Sequence, residues 1–300
     1  AFAATDDNII ADGYNHYEVN DEAAKTVTLT ENRGLKPTAN GENEAVIPET
    51  VTWHGETYTV TEIGDYAFAP YYVNSAVGVT NMHYVELPKT IKKIGNFAFA
   101  GCKNLKQITI PDGVETIGNS ALRNCPLLTE VILPDTVTHL GSTVFADDTG
   151  LRTVKLPKHI TVINTNLFAF CTNLQEIDIP DGVTEIKAFA FQSCEALEEV
   201  VLPDNVKKIW GQAFTGCRNL DTVYLNNGLE TIMIYAFINC PKLKAIEIPA
   251  TVKTIENNAF GYYENRGRPY PYEDFTIGGT AGTAAETYAK KNNFKFVNNG

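Results

Sequence analysis

The 300 residues predict a β-rich α/β solenoid, in which each coil of 23 residues contributes one short strand and one short helical turn. Three observations lead there. The phrase "CTNLQEIDIP" (171–180) is answered one period later, Cys171 by Cys194, Leu174 by Leu197, Ile179 by Leu202 and Pro180 by Pro203. Prolines at 88, 111, 134, 157, 180 and 203 keep the same step, with Asn226 in the next place and Pro249 after it. An aromatic column, Phe68, Phe99, Leu122, Phe145, Phe168, Phe191, Phe214, Phe237 and Phe260, runs through the same segment with no residue gained or lost after Phe99.

Taken in chain order, residues 1–44 form an N-terminal capping region. Its segment 16–32, "HYEVNDEAAKTVTLTEN", alternates on both sides of a turn and reads as a β-hairpin. Residues 45–277 form the array. It opens with a hairpin turning at His54-Gly55, and an insertion, "APYYVNSAVGVTN" (69–81), separates Phe68 from Met82. The repeating unit is L-x-x-I-x-I-P-x-x-V-x-x-I-G-x-x-A-F-x-x-C. Its "ITIP" or "VILP" alternates as a strand, which the proline closes by removing a ladder donor. "DGV" at 112–114 and 181–183 is turn chemistry. V-x-x-I returns the chain inward, and A-F-x-x-C has the spacing of one helical turn. No single unit buries these side chains, whereas stacked units cover one another. A second insertion, "GYYENRGRPYPYED" (261–274), delays the last strand of the array. Residues 278–300 read as a C-terminal cap of one amphipathic helix and one strand, continuous with the array as one domain.

These repeats, "LQEIDIPDGVTEIKAFAFQSC" (174–194) and its copies, resemble the leucine-rich repeat superfamily and within it the BspA-like class of bacterial surface proteins. In the superfamily at large an Asn or Cys follows the strand; here the Cys precedes it, so the likeness is to the BspA-like class. The resemblance implies a right-handed superhelix, a terminal helix-and-strand cap and adhesion to host or matrix proteins or to other cells.

Composition narrows the function. A formal net charge of −12 argues against nucleic acid, whose phosphates need clustered Lys and Arg. No apolar run is long enough to cross a membrane. Ala1-Phe2-Ala3 has the small-x-small form of a secretory signal's tail, so an exported, secreted or surface location is expected. Six cysteines share one column, Cys102, Cys125, Cys171, Cys194, Cys217 and Cys240. They read as reduced core packing, ahead of disulfides and of metal or redox chemistry, because equivalent side chains in stacked coils point the same way. Asp148 stands in the column's third place; it faces solvent if the "DDTG" turn (147–150) relaxes outward, which would avoid the cost of an unpaired buried carboxylate, and the sequence leaves its environment open. No catalytic, metal-ligating or cofactor motif is found, and the five histidines are scattered, so no enzymatic role is assigned.

What the repeat does not require suggests three binding surfaces. Outward strand positions lean acidic, with Ile132, Val201 and Tyr224 as apolar exceptions. The place after V-x-x-I holds Gly64, Gly95, Gly118 and Gly141, then Asn164, Lys187, Trp210, Met233 and Glu256. Trp210 and Met233, with Phe189 and Tyr235 nearby, make either an apolar patch or a set of side chains packed on one another or on the C-terminal insertion; the second reading is preferred. The 261–274 insertion offers Tyr262, Tyr263, Tyr270 and Tyr272, a residue type enriched in binding loops. The expected function is non-catalytic protein recognition by a monomer without cofactors. The alternatives are a passive spacer in a larger surface protein and a carbohydrate-binding module.

Overall fold

The structure, a computed structural model, describes residues 9–70 and 81–300; Ala1-Phe2-Ala3 and nearly all of the 69–81 insertion lie outside them. The chain divides into two compact units, Ala1–Gly150 and Leu151–Gly300. Each is a strand-rich repeat structure, and among the described residues α-helix is confined to Ala284–Lys291.

In the first unit the strand Asn15–Asp21 pairs antiparallel with Thr26–Asn32, forming the expected hairpin. Thr26–Asn32 then pairs in parallel with Glu56–Ile63. Thr50–Trp53 folds back on Glu56–Ile63 through His54 and Gly55, both at positive φ (49° and 80°), the geometry of a two-residue hairpin turn. From Glu56–Ile63 a parallel ladder continues through Lys93–Ile94, Thr116–Ile117 and His139–Leu140. This ladder is formed by V-x-x-I, the stretch expected only to return the chain inward. The L-x-x-I-x-I strands form a separate parallel sheet, Asn43–Ala45 with Tyr84–Glu86 and Tyr84–Glu86 with Gln107–Thr109. Proline turns join the two, the carbonyls of Pro88, Pro111 and Pro134 each accepting the N–H three residues on.

The second unit repeats the scheme. Its V-x-x-I ladder runs Val162–Ile163, Glu185–Ile186, Lys208–Ile209, Thr231–Ile232 and Thr254–Ile255, all parallel. Its outward strands pair as Glu199–Val201 with Thr222–Tyr224, and as Ala245–Ile248 with Thr276–Gly279 and then Lys295–Asn298. Where proline is missing, Asn226 makes the turn with its side chain: Nδ2 donates to the carbonyls of Pro203 and Val206, and Oδ1 accepts from Gly228 N at 2.6 Å.

The A-F-x-x-C segment departs from expectation. It is a chain of tight turns, and no helical turn forms there. In most coils two residues, four apart, take positive φ, among them Ser120 and Asn124, Asn166 and Phe170, Phe189 and Ser193, and Tyr235 and Asn239. A right-handed helix excludes such residues. The reason lies in the hydrogen bonding, because alternate N–H groups point along the stack to the next coil. Phe97, Phe99 and Gly101 donate to Asn119, Ala121 and Arg123, and Asn166, Phe168 and Phe170 donate to Ala188, Ala190 and Gln192. A third ladder therefore replaces the internal bonds a helix would make.

The core lies between these ladders. Phe191, Phe214, Phe237 and Phe260 are fully buried and stack in register, with centroids 4.8–5.0 Å apart and planes within 16°. Tyr288 of the terminal helix closes the stack at 88° to Phe260, its hydroxyl accepting from Phe260 N and donating to Phe260 O. In the first unit Phe68 and Phe99 stack likewise at 4.7 Å. At the corner after V-x-x-I the first unit brings backbone onto backbone, so that a methyl on Gly118 would lie 2.6 Å from Asn96 N. A side-chain ladder flanks it: Asn96 N donates to Asp65 Oδ1, Asn119 N to Asn96 Oδ1 and Ser142 N to Asn119 Oδ1.

Phe191→Ala should cost about 3–5 kcal/mol, because it opens a gap with a ring on either side. Chemical denaturation checks this, and a cost under about 1 kcal/mol would contradict the stack.

Candidate binding surfaces

Three outward strand positions carry exposed apolar residues. In the second unit Val201 and Tyr224 are direct partners in the parallel register, 54% and 55% exposed, and beside them Glu199 faces Thr222. Inward neighbours Val200 and Val223 are buried, as strand alternation requires. In the first unit Ile132 is equally exposed and borders a groove of about 510 Å³ with Lys106, Gln107, Thr109 and Glu130. The groove exists because Gln107–Thr109 ends its sheet and Glu130–Ile132 is not paired to it.

The Trp210 corner is polar in its contacts. The indole Nε1 donates to Glu185 Oε2 at 2.6 Å, and the ammonium groups of Lys208 and Lys187 lie 3.7 and 4.6 Å from the ring centre. Both lysines thus sit where the ring's negative face attracts a cation. Hydrogen bonds from Lys187 and from Trp210 hold the Glu185 carboxyl below its ordinary range. Met233, Phe189 and Tyr235 are half-buried. Phe189 and Tyr235 occupy the same turn position two coils apart, with Gln212 at the place between them.

The 261–274 insertion is a second hairpin. Tyr262–Asn265 pairs antiparallel with Arg268–Pro271 through Arg266 and Gly267, both at positive φ. Tyr262 is not presented to a partner: it is 9% exposed, edge-on to Phe294, and donates to Asn292 Oδ1. Tyr263 and Tyr270 face outward and stack at 5.8 Å, and Tyr272 lies 5.3 Å from Tyr263. Burial pushes the Tyr272 hydroxyl up to about 12. Asn239 fixes the hairpin to the coils, accepting from Glu264 N at 2.7 Å while its own N–H donates to Tyr262 O. Between hairpin and coil turns lies a cleft of about 510 Å³, lined by Gln192, Gln212, Arg218, Asn239, Tyr263 and Tyr272. Sequence reasoning found the tyrosines and missed the other four. Gln192, Gln212 and Arg218 sit at turn positions that vary freely between coils, so no pattern marks them.

The cysteine column offers no comparable surface. All six thiols are free and fully buried. Five carry a resolved geometry of one kind, the Sγ donating to the carbonyl of the aromatic-column residue one coil back: Cys102 to Phe68, Cys125 to Phe99, Cys194 to Phe168, Cys217 to Phe191 and Cys240 to Phe214, at 3.1–3.4 Å. Burial raises the thiol pKa of Cys194 and Cys217 strongly and pushes that of Cys240 up to about 12. Among the described residues no group of three or more His, Cys, Asp or Glu is placed to hold a metal ion, and no helix is long and apolar enough to cross a membrane.

A short strand, a proline turn, a second strand and a turn that most often ends in Cys recur along the chain, with strand partners in parallel register, and make a specific repeat. Residues 61–195 and 141–266 match the family described as BspA type leucine rich repeat region. The chain belongs to that family. A leucine-rich repeat protein from Bacteroides ovatus is similar at 23% identity, over 90% of this chain and 84% of that one, with a TM-score of 0.52. The leucine-rich repeat protein of T. pallidum is similar at 24% identity, over 78% and 90% of the two chains, with a TM-score of 0.50. At these identities the likeness concerns the fold alone. No curated protein matches the chain.

Within this BspA-type pattern Asp148 breaks the cysteine column, and the structure decides the environment that the sequence leaves open. Its side chain is fully buried; Oδ1 accepts from Cys125 N at 2.6 Å, and Oδ2 has no partner. The column position points inward whatever residue fills it, because the flanking turns are hydrogen-bonded in place. Burial is the main cause that holds this carboxyl well above the ordinary range. The folded state therefore keeps a proton that the unfolded chain releases near pH 4. Stability from this site is full below that pH and falls as pH rises toward the raised folded value. Asp148→Asn, which keeps the acceptor and removes the ionisation, should be more stable than the parent at pH 7, with the gap closing near pH 4. Denaturation midpoints at the two pH values check the sign.

The thiols should be inert to a disulfide reagent in the native protein at pH 8, and all six should react after denaturation. A reagent count on freshly prepared, unoxidised protein tests this; rapid native labelling would mean that the column opens readily.

Proposed function

We propose that the chain is a non-catalytic, secreted or cell-surface module for protein recognition and adhesion, acting as a monomer on host or matrix proteins or on other cells. The observation that carries this reading is the pair Val201 and Tyr224. They are adjacent in a hydrogen-bonded register, more than half exposed, and set on paired strands where the repeat asks for no apolar residue. An exposed tyrosine beside a valine gives contact area at low entropic cost, and the surrounding acidic and hydroxyl groups supply a polar rim. Family membership supports the surface location, and the predominance of carboxylates disfavours nucleic acid.

The same reading treats the hairpin of residues 1–44 and the helix and strand of 278–300 as caps on one array of 23-residue coils. Parallel strands joined by such crossovers favour the right hand. Both end segments add strands to a ladder, which supports the capping role.

Saturable binding of the full chain to a panel of purified extracellular-matrix proteins tests the proposal. Tyr224→Ala should weaken such binding at least about tenfold, the loss expected of an interface anchor, with the melting temperature unchanged. If no matrix or cell-surface protein binds saturably, a passive spacer is the better reading.

A further inference from the structure

We propose that the cleft between the 262–271 hairpin and the coil turns of the second unit is a binding site for a neutral oligosaccharide. The inference does not rest on the protein-recognition reading, since it concerns different residues on a different segment of the coil.

The aromatic side of the cleft is a prepared platform. Tyr263 stacks with Tyr270 at 5.8 Å, and its ring centre lies 5.3 Å from that of Tyr272, which lines the cleft with it. Tyr272 is held in turn by its own N–H to Gly261 O at 2.8 Å, and Lys244 lies 5.3 Å from the centre of its ring. The hairpin's root is pinned by Asn239 and by the buried Tyr262. Little ordering remains to be done when a ligand arrives, which lowers the cost of binding a partner selected by shape. The electron-rich face of a tyrosine suits the C–H face of a pyranose ring.

The opposite side is lined by groups that match sugar hydroxyls. Gln192 and Gln212 come from successive coils, and among the described residues neither side-chain amide has a hydrogen-bond partner within the protein. An amide offers an acceptor beside two donors, the complement of a vicinal diol, in which each hydroxyl gives and accepts. Thr215, Ser193 and Asn239 add short polar groups, and Gly216 lowers the floor where a side chain would stand.

Charge selects a neutral ligand. The one cationic side chain of the lining, Arg218, is already paired with Glu195 at 3.3 Å, and Glu264 lines the same cleft. An anion would meet Glu264, and a cation would meet Arg218. The volume of about 510 Å³ accommodates two or three sugar rings. A proline-rich peptide also uses tyrosine platforms, but it needs an apolar groove on both sides, whereas the facing wall here is amide and hydroxyl.

Saturation-transfer NMR of the full chain with maltotriose, cellotriose and chitotriose tests the site, with a polyproline peptide as the competing class. The expected result is binding of at least one trisaccharide with Kd on the order of 1 mM or tighter. Tyr263→Ala should weaken it at least about tenfold, and Tyr263→Phe, which keeps the ring, should restore it. Gln212→Asn tolerates the positive φ at that position (58°) and withdraws the amide from the cleft, so it should weaken binding without altering the melting temperature. Tyr224→Ala should leave saccharide binding unchanged. The proposal is overturned if none of the three sugars binds, if Gln212→Asn and Tyr263→Ala bind as the parent does, or if only the peptide binds.

Discussion

The structure depends on one requirement, that the backbone of each coil satisfies its hydrogen bonds on the coil beside it at the equivalent residue. Two ladders meet this through each unit, the V-x-x-I strands and the turn segment that ends in cysteine, and the outward strands add pairings in shorter runs. A buried N–H left without a partner is costly, so the register cannot drift in one ladder without breaking the other. The side-chain columns are the consequence. Phenylalanine rings stack at about 5 Å because that is the spacing the backbones impose, and offset stacking is favourable at that distance.

The same requirement explains which polar groups the interior tolerates. A cysteine in the column can give its thiol proton to the carbonyl of the previous coil, so six of them are buried without being reactive centres. Asp148 inherits the same inward direction and pays for only one of its two oxygens, through Cys125 N. The corner glycines of the first unit and the Trp210 corner of the second solve one problem in two ways. In one, backbones touch and asparagine side chains run alongside; in the other, larger side chains stand outward and are held by Glu185 and two lysines.

Function is consequently displaced to what the ladders leave over. An outward strand residue is free to vary, because its inward neighbour does the packing, and Val201 and Tyr224 use that freedom. The 261–274 hairpin is an addition to the repeat rather than a part of it, and its anchoring through Tyr262 and Asn239 turns a flexible type of segment into a fixed wall.

Much of the fold was legible in the residues. Strict recurrence of Leu174, Pro180, Phe191 and Cys194 marked the repeat and its inward columns, and His54-Gly55 marked a hairpin turn, because these residue types report local needs. The nature of the A-F-x-x-C segment was not legible, since a spacing of three or four suits both a helical turn and a run of tight turns. Bonding to the next coil decided between them, and a sequence pattern does not record where an N–H points. Nor did the sequence distinguish buried Tyr262 from exposed Tyr263, or join Gln192 and Gln212 to the tyrosine wall. The sequence by itself determined the period and the core, because repeated burial demands repeated side chains. Tertiary structure alone decided the direction of Asp148 and the composition of the cleft, because both arise from residues of different coils brought together by the stacking.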